Sequence, residues 1–142
     1  MNATVLGLVM LATQASLVPT RGVGSICLAP LPEHARSADH DYPGGNAPRE
    51  YSYQFSVQVD FAAPVKVPER APVLMDGIAL GITHRVVIRD AGRVIESFRF
   101  TFEKRGSNHL CLAYGPWYQT WSLEPPSARQ SWCKCQGADA AR

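Results

Sequence analysis

From Tyr51 to Phe61 the sequence YSYQFSVQVDF alternates strictly. Tyr51, Tyr53, Phe55, Val57, Val59 and Phe61 are apolar, and Ser52, Gln54, Ser56, Gln58 and Asp60 are polar. A period of two predicts a half-buried strand, because successive side chains of a strand point to opposite faces. A helix would scatter the same six side chains around its circumference. ITHRVVIRDAGRVIESFRFTF predicts a hairpin. A three-residue loop, Asp90, Ala91 and left-handed Gly92, sets Arg89 opposite Arg93 and pairs even positions with even. Ile82, Val86, Ile88, Val94, Phe98, Phe100 and Phe102 then share a core face; Thr83, Arg85, Arg89, Ser97, Arg99 and Thr101 face water. His84 and Glu96 fall on the apolar face, opposite Phe98 and Val86. His84 reads either as a pH-sensing or catalytic imidazole or as a core-edge ring packed on phenylalanine and bonded to backbone. Glu96 either ends the buried patch or partners His84 diagonally.

Pro64, Pro68 and Pro72 interrupt the stretch between these segments, so its short apolar pieces are expected as edge strands or irregular connections, with Asp76-Gly77 as a turn. HLCLAY is a further short strand, Gly115-Pro116 a turn, and WYQTWSL another alternating run that Pro125-Pro126 stops. No stretch beyond the N-terminus has helical periodicity. The expected class is all-β: a small antiparallel β-sandwich of immunoglobulin-like type, or a partly open barrel. The pattern is similar to that of many extracytoplasmic immunoglobulin-like modules, a likeness of architecture that implies no activity.

Four segments follow. Residues 1–25 are expected as an export signal: Val5 to Leu11 is apolar, and Thr13 and Ala15 are small enough for a signal peptidase, although no Lys or Arg precedes the run. The apolar run is too short to span a bilayer, which takes about 20 residues. Residues 26–50, rich in Pro, Gly and charge, read as a loose arm; His34, Asp39, His40 and Asp41 lie there with nothing to preorganise them for a metal. Residues 51–135 form the β-domain and 136–142 a flexible tail.

The 142 residues suit one domain with a core, and a formal net charge of +2 with scattered basic residues points away from nucleic acid and anionic membranes. Arg outnumbers Lys, and Ala, Gly and Pro are plentiful, a bacterial GC-rich bias. The expected location is extracytoplasmic, periplasmic or secreted.

Four cysteines, Cys27, Cys111, Cys133 and Cys135, give an even number in a small exported chain, which predicts two disulfides. Pairing Cys133 with Cys135 would close a tiny ring, so each should join Cys27 or Cys111. The preferred pairing is Cys111 with Cys133 and Cys27 with Cys135, with the swapped version open. The alternative is a zinc or copper(I) site of His109, Cys111, Cys133 and Cys135. Residues i and i+2 of extended chain share a face, so these four can converge, leaving Cys27 without a bridge. A redox-active thiol pair is disfavoured, since its motif carries two intervening residues.

No nucleotide, phosphate or nucleophile motif is present; GVGS around Ser25 lacks a following helix. The expected protein is not an enzyme and has no cofactor. YGPWYQTW sets Tyr114, Trp117, Tyr118 and Trp121 around a Gly-Pro turn, a candidate contact surface for a protein or glycan partner. The opposing reading places Trp117 and Trp121 in the core and leaves Tyr114 and Tyr118 exposed.

Overall fold

Residues 22–33, 35, 51–104, 108–116, 119–128, 130, 132, 133 and 135 are described by the computed structural model. Among them the chain forms eight strands and no helix: β1 (Gly24–Leu28), β2 (Phe55–Val59), β3 (Val65–Lys66), β4 (Val73–Ile78), β5 (Thr83–Asp90), β6 (Arg93–Thr101), β7 (His109–Gly115) and β8 (Thr120–Glu124). They build two four-stranded sheets, β4-β1-β7-β8 and β3-β2-β5-β6, neither closed into a barrel. Every pair is antiparallel except β1 with β7, which run parallel.

The alternating patterns fold as their period dictates. In β2, Phe55, Val57 and Val59 are buried while Ser56 and Gln58 are half-buried. Val86 and Ile88 of β5 meet them, and Ile26, Leu28, Leu112, Tyr114 and Trp121 of the other sheet complete one shared core. Burying each such large apolar side chain contributes about 1.5–3 kcal/mol.

Asp76-Gly77 is not a turn: both residues lie within β4, with Gly77 at φ 78°. Three further expectations are corrected. The apolar alternation does not carry β2 to Phe61: Asp60 turns left-handed at φ 51°, the Ala62 amide closes a turn onto the Val59 carbonyl at 3.0 Å, and Phe61 is left fully exposed. The hairpin turns on two residues, not three. Ala91 and Gly92 both have positive φ, 50° and 85°, so Asp90 faces Arg93, the arrangement whose twist matches its strands. A register shift between Ile88 and Arg89 then absorbs one residue, setting Glu96 opposite Ile88 and His84 opposite Phe100. Even positions still face even ones, displaced from the expected pairs by two, and Phe98 and Phe100 pack on the core. Ile82, ahead of β5, and Val94, beside the shift, are exposed.

The third concerns β1. It starts within the expected export signal and ends within the expected arm, yet it is a central strand, buried at all five positions. Isolated in GVGSICLAP, five residues carry too little periodicity to announce a strand. Residues 1–21, 36–50 and 136–142, which hold the rest of the expected leader, arm and tail, lie outside the described residues.

Candidate functional site

Two places gather chemistry. The first lies on the outer face of the β1-β7 pair. Their parallel register sets Cys27 beside Cys111 and Ser25 beside His109. Ile26 and Leu28 point into the main core, while Cys27, Cys111, Cys133 and Cys135 form a second buried cluster against Leu74 and Trp132. Cys27 bonds Cys135 and Cys111 bonds Cys133, with Cα separations of 5.6 and 5.9 Å, within the span a disulfide accepts. This is the preferred of the expected pairings, and no cysteine remains free.

His109 completes this cluster. It is 7% exposed, its Nδ1 lies 2.7 Å from Ser25 Oγ, and its Nε2 lies 3.9 Å from Cys133 Sγ. Ligand-capable atoms of Cys27, His109 and Cys133 all lie within 4.8 Å of one another. Of the expected metal set, His109, Cys111, Cys133 and Cys135, only His109 and Cys133 belong to this group; Cys27 joins them, Cys111 and Cys135 are the bridge partners behind them, and all four sulfurs are held in bridges.

The second place is a cleft of about 470 Å3 between edge strands β3 and β4, walled by Val57, Val65, Leu74, Met75 and Ile78. Its volume falls in the range of small-ligand pockets. Its polar lining residues are His84, Asp60 and Asp76. Asp60 Oδ2 lies 2.5 Å from His84 Nδ1, Asp60 Oδ1 accepts from the Arg85 amide at 2.9 Å, and His84 Nε2 lies 2.7 Å from the Ala79 carbonyl. The hydrogen bond from His84, then that from the Arg85 amide, holds the Asp60 carboxyl below the usual carboxylate range. His84 also stacks on Phe100, with centroids 5.3 Å apart and planes at 29°.

The aromatic turn is divided. Tyr114 and Trp121 are each 4% exposed and pack on Phe55, at centroid distances of 5.2 and 5.3 Å. The expected exposure of Tyr114 is thus corrected: as partners across β7 and β8, Tyr114 and Trp121 both turn into the core. Trp117 and Tyr118 lie outside the described residues.

No protein-family model, curated protein or solved structure matches this chain. The site therefore stands on its own geometry. Glu96 does not partner His84; it accepts the Trp121 amide at 3.1 Å, tying the two sheets together. The partner of His84 is Asp60, in sequence only one more polar residue of an alternating strand. No local signal marked it, because the contact exists only once β2 and β5 pair.

Proposed function

We propose that this protein is an exported, non-catalytic β-module of the bacterial cell envelope or exterior, of the sandwich type, which holds a partner protein through the cleft between β3 and β4. The apolar cleft carries the reading. It has room for one or two large side chains, and fully exposed Phe61 precedes Ala62 and Ala63 of its wall in the chain, which offers a partner an aromatic contact next to the cleft. Two disulfides favour an oxidising compartment. Both nitrogens of His84 face acceptors within the protein, so the ring is engaged in holding the cleft end rather than turned toward a substrate.

The test is a photoreactive side chain at Ala63 in the native compartment. One predominant protein adduct is expected, lost with Met75→Glu in the cleft wall and absent when the probe replaces Arg99 on the solvated face of β6. A cleft probe that captures nothing, or an adduct indifferent to Met75→Glu, would overturn the reading. Intact mass tests export and oxidation together: the mature chain should lack its leader and gain four hydrogens on reduction of its two bridges.

A further inference from the structure

We propose that reduction of the two bridges converts the sulfur cluster into a zinc(II) site held by Cys27, Cys133 and His109, with the fourth position taken by Cys111 or Cys135. This is independent of the cleft and concerns a second covalent state of the same chain.

The convergence is already built. A tetrahedral zinc with bonds of about 2.3 Å to sulfur and about 2.0 Å to nitrogen sets its sulfur and nitrogen ligands about 3.6 Å apart and its sulfurs about 3.8 Å apart. Cys133 Sγ lies 3.9 Å from His109 Nε2, and the three ligand atoms fit within 4.8 Å, so closure needs shifts on the order of 1 Å. Two of the ligands are anchored by strands, Cys27 on β1 and His109 on β7, held by the parallel ladder rather than by the bridges, while Cys133 follows β8 with its amide bonded to the Gln130 carbonyl at 2.8 Å. Ser25 supplies the outer contact zinc histidines use, since its Oγ can accept from Nδ1–H and leave the Nε2 lone pair for the metal. The site is also buried: Cys27 and Cys135 completely, Cys133 and His109 nearly so.

The chemistry balances. Each bridge takes two electrons and two protons from a dithiol reductant, which leaves as its own disulfide. The thiols that bind zinc release their protons to solvent. A disulfide-class oxidant reverses this: it accepts two electrons per bridge, the sulfurs pair, and the metal leaves because its thiolates are consumed. The same sulfurs thus serve as clamp when oxidised and as ligands when reduced.

Anaerobic titration of the full mature chain with cobalt(II), then zinc(II), tests this, with and without a phosphine reductant and with near-ultraviolet circular dichroism followed throughout. The reduced chain should take up one ion, show thiolate-to-cobalt absorption of tetrahedral intensity, and keep or regain the native aromatic signal; the oxidised chain should take up none. His109→Gln should weaken the affinity by more than about 100-fold and Ser25→Ala by about 10-fold, with the oxidised fold unchanged in both. Three outcomes overturn the proposal: no uptake by the reduced chain; uptake without the native signal, as by an unfolded chain with four thiols; or uptake indifferent to His109→Gln.

Discussion

Asp60, in the turn that follows β2, and His84 of the neighbouring β5 sit 2.5 Å apart, although only the histidine is buried. The imidazolium form can donate to Asp60 and to the Ala79 carbonyl together, whereas a neutral ring has a donor for only one of them. Because the Asp60 carboxyl is held below its usual range, first by His84 and then by the Arg85 amide, the folded chain binds fewer protons there than the unfolded chain. That contribution is present above the unfolded carboxyl value of about 3.9 and is lost as pH falls through the lower folded value. Asp60→Asn should therefore lower stability by about 1 kcal/mol at pH 7, a modest figure because Asp60 is more than a third exposed. The difference should shrink steadily below about pH 4. Urea unfolding of both proteins across pH 3–7 measures it; a gap that persists unchanged at pH 3 would refute the assignment.

Asp90, at the other end of β5, ties down the chain that leads into β2. Its buried carboxylate accepts the Ser52 amide at 2.6 Å and the Gln54 amide at 2.8 Å, and the Gln54 carbonyl in turn accepts from the Ala91 amide at 3.0 Å. These bonds hold Tyr51 and Tyr53 against Phe55 and Tyr114. Asp90→Ala strands two amides in a partly buried setting and should cost about 2–3 kcal/mol. Faster amide exchange at Ser52 and Gln54 than in the unmodified protein identifies the cause, and unchanged exchange there would remove it.

Periodicity made β2, β5 and β6 legible in sequence, because each has one core face and one wet face. It said nothing of β1: a strand buried on both faces, by the core inside and the sulfur cluster outside, has no alternation to display. It also overran at Phe61, because Asp60 turns left-handed after Val59 and its carboxyl bonds across to His84 and the Arg85 amide, neither of which the alternation records. The sulfur cluster was readable by cysteine spacing, but Cys27 joined His109 and Cys133 only through the parallel β1-β7 pairing. The cleft was not readable at all, for its walls come from β2, β3 and β4 and meet only in the fold.

The two bridges should contribute unequally. Cys27–Cys135 spans 108 residues and Cys111–Cys133 spans 22. Restricting the unfolded chain over those separations contributes about 4.8 and about 3.4 kcal/mol respectively. Cys27→Ser with Cys135→Ser should thus lower stability about 1 kcal/mol further than Cys111→Ser with Cys133→Ser. Chemical unfolding of the two double variants decides it, and equal midpoints or the reverse order would show that packing under Trp132 outweighs chain entropy.

Gly24 opens β1 where Phe102 closes over it, and a Cβ there would overlap the ring. Alanine ordinarily gains about 0.5–1 kcal/mol over glycine inside a strand, by reducing the freedom of the unfolded chain. Here that gain is set against overpacking, about 1–3 kcal/mol when a methyl enters a filled core. Phe102 is 2% exposed and its ring also packs edge-on to Phe100 at 5.2 Å, so it has little space to retreat and the overlap wins. Gly24→Ala should therefore destabilise by about 1–2 kcal/mol. In a Phe102→Leu background the same change should be nearly neutral, giving a coupling energy of about 1 kcal/mol or more in a double-mutant cycle. Additive effects, or a stabilising Gly24→Ala, would mean that the ring does not close over β1.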